Sequence, residues 1–390
     1  MRVLFSCTAS DGHFLPLVPL AHGFASAGHE VAFATAASFA ARVNADGFAL
    51  LPAGQSLAEL QAAMAPFRAR LEELPPDDRR PYGFTWRFAT VDAPAKVDQL
   101  LGEVTAWQPA LVVHETADLA APAVAAALGI PSAQHSFGRL LPPDCIERAA
   151  PVTADMWRGL GLEPDPASGL YRGPYIDIWP SSLQDNVPPA GTVVEQLRPV
   201  APTSGDPAWE ARLDGGRRTV YVTLGTVFND LSQFRVLLDA LADFDCNVLA
   251  TVGRNNDPAA LDPIPKNAIV EQYVRQTDVL PFCDVAVGHG GSGSTLAALA
   301  HGLPMLLLPQ AADQFENAAA CATSGAAIGL RPGAVTVDAV RTAVRSLLDD
   351  TAPRAVAEAV AREIASMPSP TDVVDGLTAF ATATATRPPS

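Results

Sequence analysis

The chain has 390 residues, with 26 basic side chains against 42 acidic ones and a formal charge of −16. A balance of that sign opposes binding to nucleic acid and to anionic membrane, and no basic run reverses it locally, so a small-molecule partner is expected. Hydrophobic residues at 48% fit an α/β protein with a buried parallel sheet, and five scattered cysteines without a CxxC pair point to neither a disulfide framework nor a zinc site.

The amino terminus runs directly into a strand at 2–7 without a signal-peptide hydrophobic stretch. No apolar run is long enough to cross a bilayer, and a cytoplasmic protein is expected. The loop TASDGHFLP follows, then an apolar-periodic helix ended by Gly28 and a second strand, EVAFAT. The alternation recurs as PALVVHE at 109–115, a helix over LAAPAVAAALG, and a strand at 130–136. These elements predict a doubly wound parallel sheet. Two stretches depart from it, 55–90 with Pro75, Pro76, Pro81 and a charged patch, and 138–178 with many Pro, Gly and aromatic residues and weak periodicity. Long excursions of this kind usually cover a binding cleft.

A Pro/Gly-rich stretch at 188–207 precedes a fresh start of the pattern at TVYVTLGT. The expected organisation is therefore a domain over 1–195, a linker over 196–215, a second doubly wound domain over 216–370, and a carboxyl-terminal helix with a frayed tail over 371–390 that packs back on the first domain. Ligands of such sheets bind at the carboxyl ends of the strands, which predicts a cleft between two Rossmann-like domains.

The most informative segment of the second domain is CDVAVGHGGSGSTLAALAHGLPMLLLPQAADQ at 283–314. It reads as strand, glycine-rich turn, helix, strand and polar exit. Gly290, Gly291 and Gly293 let the backbone approach a ligand, and Ser292, Ser294 and Thr295 open a helix whose free amides attract an anion. His289 sits at the mouth of that anion site. The spelling Gly288-His-Gly290-Gly-Ser-Gly293 with Asp313 twenty residues on also satisfies the dinucleotide fingerprint. Its place in the second domain, the His inside the turn and the PQAADQ exit weigh against a dehydrogenase.

With GHFLP at 12–16, YVRQ at 273–276, HGGSGST at 289–295 and PQAADQ at 309–314 in this order and spacing, the chain resembles the GT-B-fold, inverting, family 1 glycosyltransferases, in particular bacterial enzymes that glycosylate antibiotic aglycones. The resemblance covers almost the whole chain. It implies that His289, Gly291, Ser292, Gly293, Ser294 and Thr295 hold the diphosphate of a nucleotide-sugar, joined by Thr223, Gly225 and Thr226 in a second phosphate loop. It also implies Tyr273 and Val274 at the base, with Tyr273 stacking, and Asp313 and Gln314 on the sugar hydroxyls. Where UDP-sugar relatives commonly carry a ribose-binding Glu, eight residues after the motif His, this chain has Ala297. A dTDP-sugar is therefore expected as co-substrate over a UDP-sugar, with no metal and no other cofactor.

By the same resemblance His13 deprotonates the acceptor hydroxyl, a role suited to an imidazole that titrates near working pH. Its partner is expected to be Glu115, at the end of a strand, with Asp118 one turn on as the alternative. The reaction implied is a single displacement at the sugar C1 with inversion. Phe14, Trp86, His135, Phe137, Met156 and Trp157 fall in or beside the excursions and would line the pocket of a small apolar aglycone. Asp243-Phe-Asp245 spells DxD, the Mn²⁺-holding triplet of another glycosyltransferase fold, but follows a helix. A homodimer is left open, and the competing functions are a UDP-sugar transferase, a GT-B-fold sugar-nucleotide epimerase and a noncatalytic sugar-nucleotide-binding protein.

Overall fold

Apolar, β-branched runs such as Val3-Leu4-Phe5 and Leu111-Val112-Val113 have no polar face to give to water, so they form strands covered on both sides. In the computed structural model, which describes residues 1–199, 205–225 and 230–385, they are the central strands of the first of two parallel sheets. That sheet holds β1 (Arg2–Ser6), β2 (Glu30–Thr35), β3 (Ala49–Pro52), β4 (Leu111–Glu115), β5 (Ser132–His135), β6 (Tyr175–Asp177) and β7 (Val194–Gln196) in the order β3-β2-β1-β4-β5-β6-β7. The second holds β8 (Arg218–Thr223), β9 (Cys246–Thr251), β10 (Ala268–Glu271), β11 (Val285–Gly288), β12 (Met305–Leu307) and β13 (Ala327–Gly329) in the order β10-β9-β8-β11-β12-β13. Both are doubly wound, with the strand order reversing at β1/β4 and at β8/β11. This is the GT-B pair of parallel-sheet domains expected from the sequence.

The chain divides into two compact units, one of Met1–Trp179, Asn186–Arg198 and the segment from Met367 on, the other of Pro180–Asp185 and Pro199–Ser366. In the first unit the carboxyl-terminal helix Pro370–Ala385 packs on the helix Val18–Ser26. Gly23 permits the approach, because a Cβ there would lie 3.1 Å from the Pro370 carbonyl oxygen.

Register decides which loops become neighbours. Ser6 lies opposite His114 in the β1–β4 ladder, so the turn leaving β1 runs beside Glu115 at the end of β4. In the second sheet Gly288 lies opposite Thr223, which sets the β8 exit against the glycine turn after β11.

Both excursions contain regular structure. Ser56 and Glu59 form a capping box that starts the helix Leu57–Glu73. The helix Pro76–Phe84 follows, then a π-helical stretch, Thr85–Asp92, that runs into the helix Ala93–Trp107. In the later excursion Pro143–Gly159 is helical and buries Cys145, Ala149, Thr153 and Trp157 along one face. No helix among the described residues is long and apolar enough to cross a membrane.

Candidate active site

In the first unit β1 exits through Cys7–Ser10 into a one-turn helix, Asp11–Phe14, where a plain loop is expected from the sequence. Successive residues of a helix point in different directions. Phe14 turns into the core against Phe33 and Phe39, at ring distances of 4.8 and 5.5 Å, while His13 turns to Glu115. His13 Nδ1 and Glu115 Oε1 are 3.0 Å apart. Glu115 is fully buried and also accepts hydrogen bonds from the backbone amides of Thr8 (3.4 Å) and Ala117 (2.5 Å). A carboxylate at Nδ1 holds the proton on that nitrogen and leaves Nε2 as the proton acceptor. The imidazole lies between Phe88 and Phe137, with ring centroids at 5.5 and 4.6 Å.

Asp118 does not reach His13. Its Oδ2 accepts from Ser6 Oγ at 2.6 Å and Lys96 Nζ at 2.7 Å, and its Oδ1 from the Ala121 amide at 3.3 Å. Burial alone would raise this carboxyl, but the Lys96 ammonium and the hydrogen bonds from Lys96 and Ser6 outweigh it and hold it below the ordinary carboxylate range. Lys96 donates in addition to the carbonyls of Cys7 and Ala34, at 2.9 and 3.2 Å, and so ties together the ends of β1, β2 and the Asp118 turn. No sequence motif marks Lys96 for this role, although it is one of only two lysines in the chain and sits among apolar positions of a helix.

The expected acceptor-lining residues separate into two groups. Phe137 flanks His13, and Trp86 is half-buried, stacked on Phe67 and Tyr82. Phe14 is corrected to the core, as is Trp157, which is 1% exposed; half-buried Met156 packs against the apolar cluster that contains Cys145 and Ala149. His135 is likewise corrected, because it is fully buried with Nδ1 2.6 Å from the Ser136 carbonyl oxygen. Burial pushes its imidazole down to about 4, against that hydrogen bond, so it stays neutral.

In the second unit β11 leads through Gly288 and His289 into the helix Ser292–Ala300. Gly290 has φ +84°, and a Cβ on it would lie 2.9 Å from the Gln314 carbonyl oxygen. Gly225 has φ +80°, and a Cβ there would lie 2.6 Å from the His289 ring, which Gly291 also approaches too closely to carry a side chain. The two glycines thus form a slot that holds the imidazole. Burial lowers the basicity of His289, opposed by the charge of Asp313, and its Nδ1 has no hydrogen-bond partner in the protein.

The helix start has no side-chain cap. Thr295 N donates to the Gly291 carbonyl, Ser294 Oγ donates to the same carbonyl, and the preceding helix amides are free of intrahelical acceptors. The exposed Gly293 lets an anion approach these amides without a side chain in the way. Thr295 is buried, with its hydroxyl unpartnered in the protein.

Asp313 is part of a partly buried network. Ser292 Oγ donates to its Oδ2 at 2.9 Å, and Asn317 Nδ2 reaches Asp313 Oδ2, the Gly290 carbonyl and Ser292 Oγ at 2.9, 2.9 and 3.1 Å. The Ser292 hydroxyl therefore braces the turn. Gln314 folds back, and its Oε1 accepts from the Gln310 and Ala311 amides at 2.8 and 3.1 Å, so that oxygen is taken by its own loop. Asn317, one turn after Asp313, was not singled out from sequence. Thr223 Oγ1 accepts weakly from the Gly225 amide at 3.4 Å, and Thr226 lies outside the described residues. Tyr273 is 47% exposed, with the Arg254 guanidinium 3.6 Å over its ring, whereas Val274 is buried. Ala297 is 5% exposed on the inner side of its helix. Asp243 and Asp245 pair with Arg341 and Arg217, at 3.9 and 2.9 Å.

Residues 22–225 match the N-terminal domain of the erythromycin biosynthesis protein CIII-like family and residues 235–380 match its C-terminal domain. The chain is 31% identical over 389 residues to the L-demethylnoviosyl transferase of Streptomyces niveus, covering 97% of this chain and 98% of that protein. It is 29% identical over 422 residues to the 3-alpha-mycarosylerythronolide B desosaminyl transferase of Saccharopolyspora erythraea, covering 96% and 97%. Among solved structures it is similar to a Streptomyces glycosyltransferase, SsfS6, complexed with thymidine diphosphate, at a TM-score of 0.76 and 27% identity over 97% of this chain and 99% of that one.

Removing Lys96 should strand a buried carboxylate. Lys96→Met is expected to lower the unfolding free energy at neutral pH by about 3 kcal/mol or more, read by urea denaturation. The deficit should shrink on acidification. Asp118, held low by Lys96, contributes stability above the ordinary carboxylate range and loses it as pH falls through its folded value.

Proposed function

The chain belongs to the erythromycin biosynthesis protein CIII-like family of natural-product glycosyltransferases, and from there we propose that it moves a deoxysugar from a dTDP-sugar to a hydroxyl of a small apolar aglycone, with inversion and without a metal. The observation that carries this reading is the buried His13–Glu115 pair, 3.0 Å apart, in the first unit. An alcohol attacks an anomeric carbon slowly while it keeps its proton, and an imidazole whose Nδ1 is fixed by a carboxylate offers Nε2 to take that proton. Glu115 then stabilises the imidazolium. The flanking Phe88 and Phe137 rings offer an apolar aglycone a surface beside the base.

The leaving group is a nucleoside diphosphate. Its charge would be met by the uncapped amides at 292–294, by the positive end of that helix and by the imidazole of His289 in its glycine slot. These groups supply the electrostatic stabilisation for which other enzymes use a divalent cation, and the DxD carboxylates are engaged with arginines instead. Asp313 would hold the sugar through Oδ1, since Oδ2 is occupied by Ser292 and Asn317.

Two observations support thymidine over uridine. A similar glycosyltransferase was solved with thymidine diphosphate. Ala297 supplies no carboxylate for a ribose 2′-hydroxyl, the group by which UDP differs from dTDP in the sugar ring.

His13→Ala is expected to reduce kcat by about 10³-fold while the dissociation constant for dTDP stays within about twofold. Loss of dTDP binding in that variant would show that His13 is not a dedicated base. Calorimetric titration in excess EDTA should give dTDP binding about tenfold tighter than UDP. Equal affinities, or binding that needs added Mg²⁺ or Mn²⁺, would count against the proposed donor.

A further inference from the structure

The π-helical stretch Thr85–Asp92 lies next to the His13 pair, and apart from Phe88 its residues have no part in the reaction as described above. A π-helix closes hydrogen bonds over five residues, so residues five apart come to the same side, and such segments are frequent at functional sites. Thr90 Oγ1 donates to the Thr85 carbonyl, five residues back, at 3.4 Å. Arg87 and Asp92 are also five apart, and Arg87 Nε lies 3.9 Å from Asp92 Oδ2. The same turn sets Phe88 against His13 and places the Arg87 guanidinium 4.7 Å from the Phe88 ring centroid.

Asp92 borders a cavity of about 20 Å³ in the first unit, walled also by Thr8, Gln55, Leu60 and Lys96. That volume suits one water-sized group. Asp92 Oδ2, Gln55 Oε1 and Thr8 Oγ1 are all buried and have no hydrogen-bond partner in the protein, and the Asp92 side chain is 13% exposed. Lys96 cannot serve them, because Asp118 and the carbonyls of Cys7 and Ala34 already take its Nζ. Gln55 Oε1 and the ionised Asp92 carboxylate can only accept, and the Thr8 hydroxyl can accept as well. Thr8 connects the cavity to the base: its amide donates to Glu115 Oε1 while its hydroxyl is one of the unpartnered groups.

We propose that this cavity is an acceptor-recognition subsite that takes one hydrogen-bond-donating group, a hydroxyl or an ammonium, carried by the aglycone apart from its reacting hydroxyl, with Asp92 as the specificity-determining residue. The inference rests on the glycosyltransferase reading for its ligand and adds a polar anchor to an acceptor otherwise described as apolar. Burial raises the Asp92 carboxyl to about 6, opposed by Arg87, His13 and Lys96 and assisted by Glu115, which are the charged groups facing it from its own and the neighbouring elements. An ammonium is therefore favoured once Asp92 ionises above that value, while a hydroxyl can pair with either form.

Three phenols that differ only at the tip of the tail separate the cases: tyramine with an ammonium, tyrosol with a hydroxyl and p-propylphenol with a methyl. Their affinities for the full chain saturated with dTDP would be measured by ligand-observed NMR titration. Tyramine, tyrosol or both should bind about tenfold more tightly than p-propylphenol, and which of them does so identifies the group recognised. Asp92→Asn should remove most of the tyramine advantage, Gln55→Leu should reduce the preference for either polar tail, and the tyramine advantage should fall as pH drops through about 6. Equal binding of all three phenols, binding of none, or a preference unchanged in both variants overturns the subsite. Failure of dTDP itself to bind would instead overturn the donor reading, so the two failures are distinguishable.

Discussion

The buried carboxylate of Glu115 is the constraint around which the first unit is organised. A fully buried carboxylate left without partners costs several kcal/mol, and here the amides of Thr8 and Ala117 and the ring of His13 supply them. Thr8 and His13 come from the segment that the parallel β1–β4 ladder sets beside Glu115, and Ala117 from the turn that follows it. The second buried pair, Lys96 with Asp118, ties the ends of β1 and β2 through two backbone carbonyls. On the proposed mechanism stability and chemistry share the same atoms, because the contacts that satisfy Glu115 would also fix the imidazole in the tautomer that can accept a proton at Nε2.

The second unit solves a different problem by the same means. In the donor reading proposed above, a diphosphate needs donors and positive potential, and the chain would supply them through backbone geometry more than through charge. Glycines at 225 and 291 admit the His289 ring, Gly290 closes against the carbonyl of Gln314, and the Ser292–Asp313–Asn317 network holds the turn in place. Such a site suits an acidic protein of net charge −16, in which a cluster of lysines is not available to hold phosphates.

Much of this was legible in the sequence because it depends on local rules. The apolar strand runs, the helix-opening glycine turn and the position of His13 after the first strand are written in consecutive residues. Glu115 over Asp118 was also readable from strand position, although only the fold shows Asp118 engaged by Lys96. What escaped depends on contacts between distant segments. Lys96 and Asn317 acquire their roles from partners 22 and 27 residues away. Phe14, His135 and Trp157 are near the expected pocket in sequence, yet side-chain direction in a helix or strand sends them into the core. Gln314 sits where a sugar contact is expected and turns back to its own loop. The π-helical phase at Thr85–Asp92 leaves no periodic signature in eight residues, so nothing in the 55–90 excursion announces it.

A single displacement with His13 as base requires that the bond at the sugar C1 be made on the face opposite the departing diphosphate. The anomeric configuration of the glycoside, read by NMR coupling constants and compared with that of the dTDP-sugar supplied, measures this directly. Inversion is the expected result; a product that retains the donor configuration would contradict the mechanism.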